Sequence, residues 1–154
     1  MIYTQYMKTP LGPLRIKASE RAIVNIEFVH RAGKDSPGSL TGRAVKQLKE
    51  YFAGRRRTFD LPLEMKGTRF QTACWNELRK IPYGTAVSYG DIARRLHNPR
   101  AGRAVGSANG RNPIAIVVPC HRVIASDGSL GGYTGGLDKK RFLLRLEKID
   151  WKEY

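Results

Sequence analysis

Acidic side chains are scarce in this sequence. Thirteen Asp and Glu face 28 Lys and Arg over 154 residues, a formal net charge of +15 at pH 7. That excess argues against an acidic small-molecule enzyme and for a polyanionic partner. Cysteine is scarcer still: Cys74 and Cys120 alone cannot build a disulfide framework. There is no Cys-x2-Cys pair, and His30, His97 and His121 add little, so no structural metal site is expected. No apolar run reaches 18 residues, and Lys8 and Pro10 interrupt the N-terminal segment, so neither a membrane span nor a secretory signal is expected. Repeats and low-complexity tracts are absent, as are G-x-G-x-x-G and G-x-x-x-x-G-K-[ST], so no nucleotide cofactor is expected. What remains is the expectation of a soluble, reduced, cytoplasmic protein. Its 41% hydrophobic content is enough for a packed core.

The N-terminal part reads as strand, turn, strand. Tyr3–Met7 alternates weakly, and Thr9-Pro10-Leu11-Gly12-Pro13 is turn chemistry. Leu14–Ala18 and Ala22–Phe28 have β propensity. Residues 33–42 read as a polar loop. A helix over Arg43–Phe52 follows, with Val45, Leu48, Tyr51 and Phe52 at helical spacing and Gly54 ending it. Leu61–Gly67 reads as a linker. This gives two units, residues 1–64 and 65–154.

The second unit opens on Thr68-x-x-Gln71, a capping box, with Phe70, Ala73, Cys74, Leu78 and Ile81 on one helix face. Cys74 on that stripe reads as core. Ser88-x-x-Asp91 is a second N-terminal cap, starting a short helix through Ile92, Ala93 and Leu96. His97-Asn98-Pro99 reads as a turn of three or four residues, with Asn98 as cap and Pro99 as first helical residue of a helix to about Asn109, and Gly110 in the left-handed position beyond. Two short helices so joined make a helix-turn-helix.

Between Ile92 and Ser126 there is no acid, while Arg94, Arg95, Arg100, Arg103, Arg111 and Arg122 lie there without a lysine. Arginine suits bidentate phosphate contacts and stacking. The second helix also carries Gly102, Gly106 and Gly110 at intervals of four, each interior glycine costing about 1 kcal/mol relative to Ala. Either the helix packs tightly on a neighbour, or it sits deep in a DNA groove with Arg103 projecting.

Residues 113–118, Pro-Ile-Ala-Ile-Val-Val, read as a buried strand that ends in Pro119-Cys120-His121-Arg122. His121 is placed to accept a thiol proton, and Arg122 would favour the thiolate. Neighbours on a strand point to opposite faces, so direct Cys120–His121 contact needs a bend or a water. A third group should orient the histidine; Asp127, Asp138, Glu147, Asp150 and Glu153 are the downstream choices. Ser126–Gly136 is a glycine-rich loop. A last helix, Leu137–Ile149, turns Leu137, Phe142, Leu143, Leu146 and Ile149 inward.

Pro-Cys-His-Arg-Val, preceded by Arg-Ala-Val-Gly and followed by Gly-Tyr-x-Gly-Gly, resembles the O6-alkylguanine-DNA alkyltransferases (methylated-DNA–protein-cysteine methyltransferases). Thr9–Leu14, Ile81-Pro82-Tyr83-Gly84 and Val87-Ser88-Tyr89-Gly90 extend the resemblance over nearly the whole chain. It implies an α+β fold: a small ribonuclease H-like α/β domain over 1–64 in a supporting role, then a mostly helical, winged-helix-like domain with a helix-turn-helix over 65–154. It implies irreversible, single-turnover transfer of an alkyl group from O6-alkylguanine in double-stranded DNA to Cys120, by a monomer, with no cofactor and no metal.

Roles follow by position. Cys120 matches the acceptor and His121 the base, acting through water. Glu147 matches the acid orienting His121, and Asn112 the asparagine tying the recognition helix to the active-site turn. Tyr89 matches the donor toward guanine N3, which also rotates the 3′ phosphate. Arg103 matches the finger replacing the flipped nucleotide. Ala101, Gly102, Ala104, Ser107 and Arg111 would meet the DNA minor groove; Val123, Tyr133, Thr134 and Gly135 would line the pocket. Ala115 and Thr134 depart from the Pro and Ser of some relatives, and the N-terminal zinc ligands of some members have no counterpart. A cysteine hydrolase, with His30 or His97 as base, and a non-enzymatic helix-turn-helix regulator are the competing readings. Lesion-binding relatives without activity lack the acceptor cysteine.

Overall fold

The computed structural model describes residues 1–153. They form two compact units, residues 1–65 with 113–115, and residues 66–112 with 116 onward.

In the first unit β1 (Tyr3–Thr9), β2 (Gly12–Ala18) and β3 (Ile23–Phe28) make an antiparallel sheet in sequence order. Alternation selects the faces: Leu14, Ile16 and Ala18 of β2 are fully buried, and β3 adds Ile23 and Ile26. Helix α1 (Ser39–Phe52) packs on β1 and β2 with Ala44, Val45, Leu48 and Tyr51 inward. It begins four residues before the expected Arg43, because Thr41 reaches back and its hydroxyl accepts the Gly38 N–H at 2.9 Å. A helix start made by a residue inside the helix, with glycine as the cap, leaves little trace in the sequence. The end is as expected. Gly54 takes a φ of 74°, and the Gly54 and Arg55 N–H groups return to the Tyr51 and Glu50 carbonyls.

The second unit contains α2 (Arg69–Leu78), β4 (Val87–Ser88), α3 (Tyr89–Arg95), α4 (Gly102–Gly110), a 3-10 turn (Cys120–Arg122), β5 (Val123–Ile124) and α5 (Leu137–Leu146). Strands β4 and β5 pair in parallel. Both expected caps form: Thr68 accepts from the Gln71 N–H, and Ser88 from the Asp91 N–H. Helix α2 buries Cys74 and Leu78 as expected, and also Trp75, whose indole N–H donates to the Ala108 carbonyl of α4 at 2.9 Å.

Three boundaries differ. Between α3 and α4 lie six residues, not three or four, and neither Asn98 nor Pro99 starts the helix. His97 adopts a left-handed φ of 59°, and the His97 and Asn98 N–H groups close on the Arg94 and Ala93 carbonyls, a Schellman ending that consumes the turn residues. Gly110 is the last helical residue rather than a left-handed cap. Helix α5 stops at Leu146: Lys148 takes a φ of 60° while the Lys148 and Ile149 N–H groups return to Arg145 and Leu144. It buries Lys140, Leu143 and Leu144, whereas Leu137 is exposed.

Finally, residues 113–118 are not a strand. Only Ile114 bridges to a strand, beside Ile26 within the first unit, and Ile116 has a φ of 72°, which breaks an extended run.

Candidate functional site

Two turns present Cys120. Pro119, at φ −83° and ψ 63°, forms an inverse γ-turn in which the Cys120 N–H donates to the Val118 carbonyl at 2.8 Å. The 3-10 turn follows at once, supplying the bend that an unbroken strand would have denied to neighbouring Cys120 and His121. The Asn112 amide donates to the same Val118 carbonyl at 2.8 Å, tying the end of α4 to this turn.

Cys120 is 7% exposed and lines a cavity of about 560 Å3 together with Tyr89, Gly102, Arg103, Gly106, Asn109, Gly110, Gly132, Tyr133 and Thr134. That volume is in the range of small-molecule sites. Five expected site residues are thus in the lining besides Cys120: Tyr89, Gly102, Arg103, Tyr133 and Thr134. Ala104, Ser107 and Arg111 are exposed on or just after α4, and Ala101 is buried at its start. Val123 is fully buried in β5, outside the lining, and Gly135 supports Tyr133 from outside it. Thr134 Oγ1 donates to the Gly110 carbonyl at 2.9 Å.

Behind Cys120 lies a buried ionic cluster. Because α5 ends in its left-handed turn, Glu147 caps the helix and faces inward at 2% exposure. Its Oε2 is 2.7 Å from His121 Nε2; its Oε1 accepts from Arg122 Nε at 2.7 Å and from the Gly84 N–H at 3.2 Å. Burial works against that carboxylate, but the hydrogen bonds of His121 and Arg122, with the Arg122 charge, hold it at about 2. Of the five acids that the sequence offered as orienter, the fold selects this one.

A carboxylate on Nε2 makes Nε2 the donor and leaves Nδ1 as the basic nitrogen. His121 Nδ1 is buried and has no protein partner. Burial holds the imidazole neutral, against the pull of Glu147. The arrangement is a neutral base next in sequence to Cys120, with a buried, unpartnered lone pair at Nδ1.

Arg122 does not act as expected. Its charge is matched by Glu147, and it also donates to the Ile81 carbonyl at 2.7 Å, so it cannot favour a thiolate. The unmatched buried cation is Lys140, which the sequence reading passed over. Burial holds the Cys120 thiol above its ordinary value; hydrogen bonding from Asn112 and the charge of Lys140 only partly offset it. Burial likewise pushes Cys74 up, to about 11. No group of three or more His, Cys, Asp or Glu is placed to hold a metal among the described residues.

The glycines in and beside the cavity divide into two kinds. At Gly131, next to the lining residue Gly132 and with φ 70°, a Cβ would stand 2.6 Å from the Tyr89 hydroxyl, so this loop needs glycine. At Gly102 a Cβ would meet nothing within 4 Å, and at Gly106 only the Tyr89 ring at 3.9 Å. Tight packing on a neighbour therefore does not explain Gly102 and Gly106, which border open space, whereas a Cβ at Gly110 would stand 3.4 Å from Thr134 Oγ1. Arg95, Arg100, Arg103 and Arg111 are exposed with no ion pair among the described residues, whereas Arg94 is paired with Asp91.

Comparison with known proteins agrees with this geometry. The profile of the 6-O-methylguanine DNA methyltransferase DNA-binding domain matches residues 69–149, and that of the same family's ribonuclease-like domain matches residues 2–65. The methylated-DNA–protein-cysteine methyltransferase of Methanosarcina acetivorans is 45% identical over 153 residues, covering 95% of this chain and 98% of its own. The crystal structure of Mycobacterium tuberculosis O6-methylguanine methyltransferase superposes with a TM-score of 0.88 at 43% identity, covering 96% of this chain and 93% of its own. A Mycobacterium tuberculosis structure of this type in complex with DNA gives 0.86 at 44% identity, over 94% and 92%. With two domain profiles spanning most of its length and relatives this similar end to end, the chain belongs to the 6-O-methylguanine DNA methyltransferase family.

Proposed function

We propose that this protein repairs O6-alkylguanine in double-stranded DNA by moving the alkyl group, irreversibly and once per molecule, onto Cys120. One observation carries the assignment of the acceptor. Cys120 borders a base-sized cavity and has the buried His121–Glu147 pair, 2.7 Å apart, behind it. Residues 65–154 then hold the DNA-binding and acceptor functions, with 1–64 as support. The acceptor, base and cavity are complete within one chain, as action by a monomer requires, and the proposed setting is the cytoplasm. No helix among the described residues is long and apolar enough to cross a membrane.

The steps follow from the groups present. A stacked guanine hides its O6 substituent from a recessed sulfur, so the nucleotide must be flipped, at a cost of a few kcal/mol. Arg103, exposed on α4 at the cavity mouth, fills the gap in the stack, while Gly102, Ala104, Ser107 and Arg111 hold α4 in the minor groove; Ala101, buried, only anchors the start of the helix. The glycines bordering open space give the backbone room to approach. Tyr133 and Thr134 shape the base pocket, with Val123 and Gly135 behind its wall.

His121 Nδ1 takes the thiol proton through a water, and Glu147 stabilises the imidazolium formed. The thiolate attacks the alkyl carbon. The S–C bond forms as the C–O6 bond breaks, its electron pair passing to guanine. A proton from Tyr89 to N3 lets guanine leave neutral, and the proton lost by the thiol restores the phenol. The product is a thioether, and no step regenerates it.

Mass spectrometry of the protein mixed with O6-methylguanine duplex tests this. One methyl group per chain is expected on the Cys120 peptide, and none in Cys120→Ser, which should still bind the duplex. A methyl group on Cys74, or turnover of an ester by Cys120, would overturn the assignment.

A further inference from the structure

Lys140 is the one fully buried lysine among the described residues, and the chemistry above gives it no task. A lysine ammonium leaves water only where all three protons find acceptors. Lys140 Nζ donates to the Val123 carbonyl at 2.7 Å, the Leu130 carbonyl at 2.5 Å and the Gly132 carbonyl at 3.0 Å. Val123 directly follows the turn that carries Cys120. Gly132 donates its N–H to the Tyr89 hydroxyl at 3.3 Å and precedes Tyr133 and Thr134 in the cavity wall. One ammonium therefore joins the acceptor side of the cavity to its glycine-rich side.

All three partners are neutral carbonyls, so the charge stays unmatched, unlike that of Arg122. The groups facing it are the Tyr89 ring of α3, 5.8 Å from Nζ, and Cys120 and His121 of the 3-10 turn; Arg122 and Glu147 are engaged with each other. On its own helix, Asp138 is exposed and paired with Arg141.

We propose that Lys140 is a positioning residue for alkyl transfer: its unmatched ammonium is the counter-charge of the Cys120 thiolate, and its three carbonyl bonds clamp the Gly132–Thr134 wall in place beside the sulfur. This rests on Cys120 being the acceptor. Burial brings the Lys140 ammonium down to about 8, so it is charged at neutral pH and loses that charge just above.

The test reads the thiol without DNA. Wild type, Lys140→Met and Lys140→Arg are reacted with iodoacetamide from pH 5 to 10, with Cys120 and Cys74 peptides resolved by mass. Lys140→Met should react about tenfold more slowly at Cys120 at pH 7, a displacement of one pH unit in the thiol titration. Lys140→Arg keeps the charge and should recover thiol reactivity. Its planar fork cannot reproduce three converging bonds, so transfer from O6-methylguanine duplex should stay at least tenfold slow. An unchanged iodoacetamide profile in Lys140→Met overturns the counter-charge; full transfer by Lys140→Arg overturns the clamp.

If Lys140→Met does not fold, the coupling is read from the other side, since linkage is reciprocal. The Lys140 ammonium of wild type and Cys120→Ala is titrated by 15N NMR. Loss of the thiol should lower its midpoint, and an unmoved midpoint refutes the coupling. Failure of wild type to take a methyl group from duplex would instead sink the repair assignment, a separate readout from thiol reactivity.

Discussion

Glu147 shows how much one side chain can carry. Its two oxygens hold His121, Arg122 and the Gly84 N–H, so Glu147→Gln leaves a buried arginine unmatched and a histidine without its orienter. Removing one partner of a buried pair typically costs 3–5 kcal/mol, about 3 kcal/mol or more here. The pH dependence has a definite sign. The carboxyl sits at about 2 when folded, against 4.5 ordinarily, so the unfolded chain binds its proton first on acidification. The stabilisation is complete above about pH 5 and fades as pH falls toward 2, on the order of 3 kcal/mol in all. Urea unfolding of wild type should therefore lose about 2 kcal/mol more stability between pH 6 and pH 3 than Glu147→Gln does, the remainder going below pH 3. Equal losses would mean that the carboxylate is not held by its partners. At this scale the sequence was partly legible. The five possible orienters could not be separated, because a left-handed Lys148 decides which acid turns inward, and lysine gives no signal for that conformation. Lys140 was illegible for a related reason: a lysine on an amphipathic helix reads as solvated until three carbonyls are seen around it.

Elements were legible where their hydrogen bonds are local. The Thr68–Gln71 and Ser88–Asp91 caps lie within four residues of sequence and form as read. The apolar run at 113–118 misled because composition cannot reveal the positive φ at Ile116 or the γ-turn at Pro119. The glycines of α4 can be separated into stability and function. Gly106 is mid-helix, and a methyl group there would stand 3.9 Å from the Tyr89 ring, an ordinary contact. Gly106→Ala should therefore stabilise the free protein by about 0.5–1 kcal/mol, raising Tm by about 1–4 °C. If α4 lies against a duplex as proposed, the same methyl group meets DNA instead of open space, and affinity falls. Calorimetry and fluorescence anisotropy on one sample read both effects. A stabilised variant with undiminished affinity would remove the reason for a slim helix.

Charge belongs to the whole molecule, and both units share it. Residues 1–65 with 113–115 hold twelve basic side chains against six acidic, and the remainder sixteen against seven. Total charge was read from composition at once, but it does not say which surface meets DNA. Placement does. In the second unit Arg95, Arg100, Arg103 and Arg111 are exposed, without ion pairs among the described residues, along an acid-free stretch of chain. In the first, exposed Lys46 and Lys49 of α1 lie near Glu50, which is paired with Arg56. Each phosphate neutralised releases condensed counterions, so log K should fall with log salt by about 0.9 per contact. Replacing Arg100 and Arg111 by Ala should flatten that slope by roughly 2, with thiol reactivity toward iodoacetamide unchanged. Lys46→Ala with Lys49→Ala removes the same charge from the other unit and should leave the slope as it was. If the α1 pair flattens the slope as much as the arginine pair, the first unit is part of the DNA interface rather than its support.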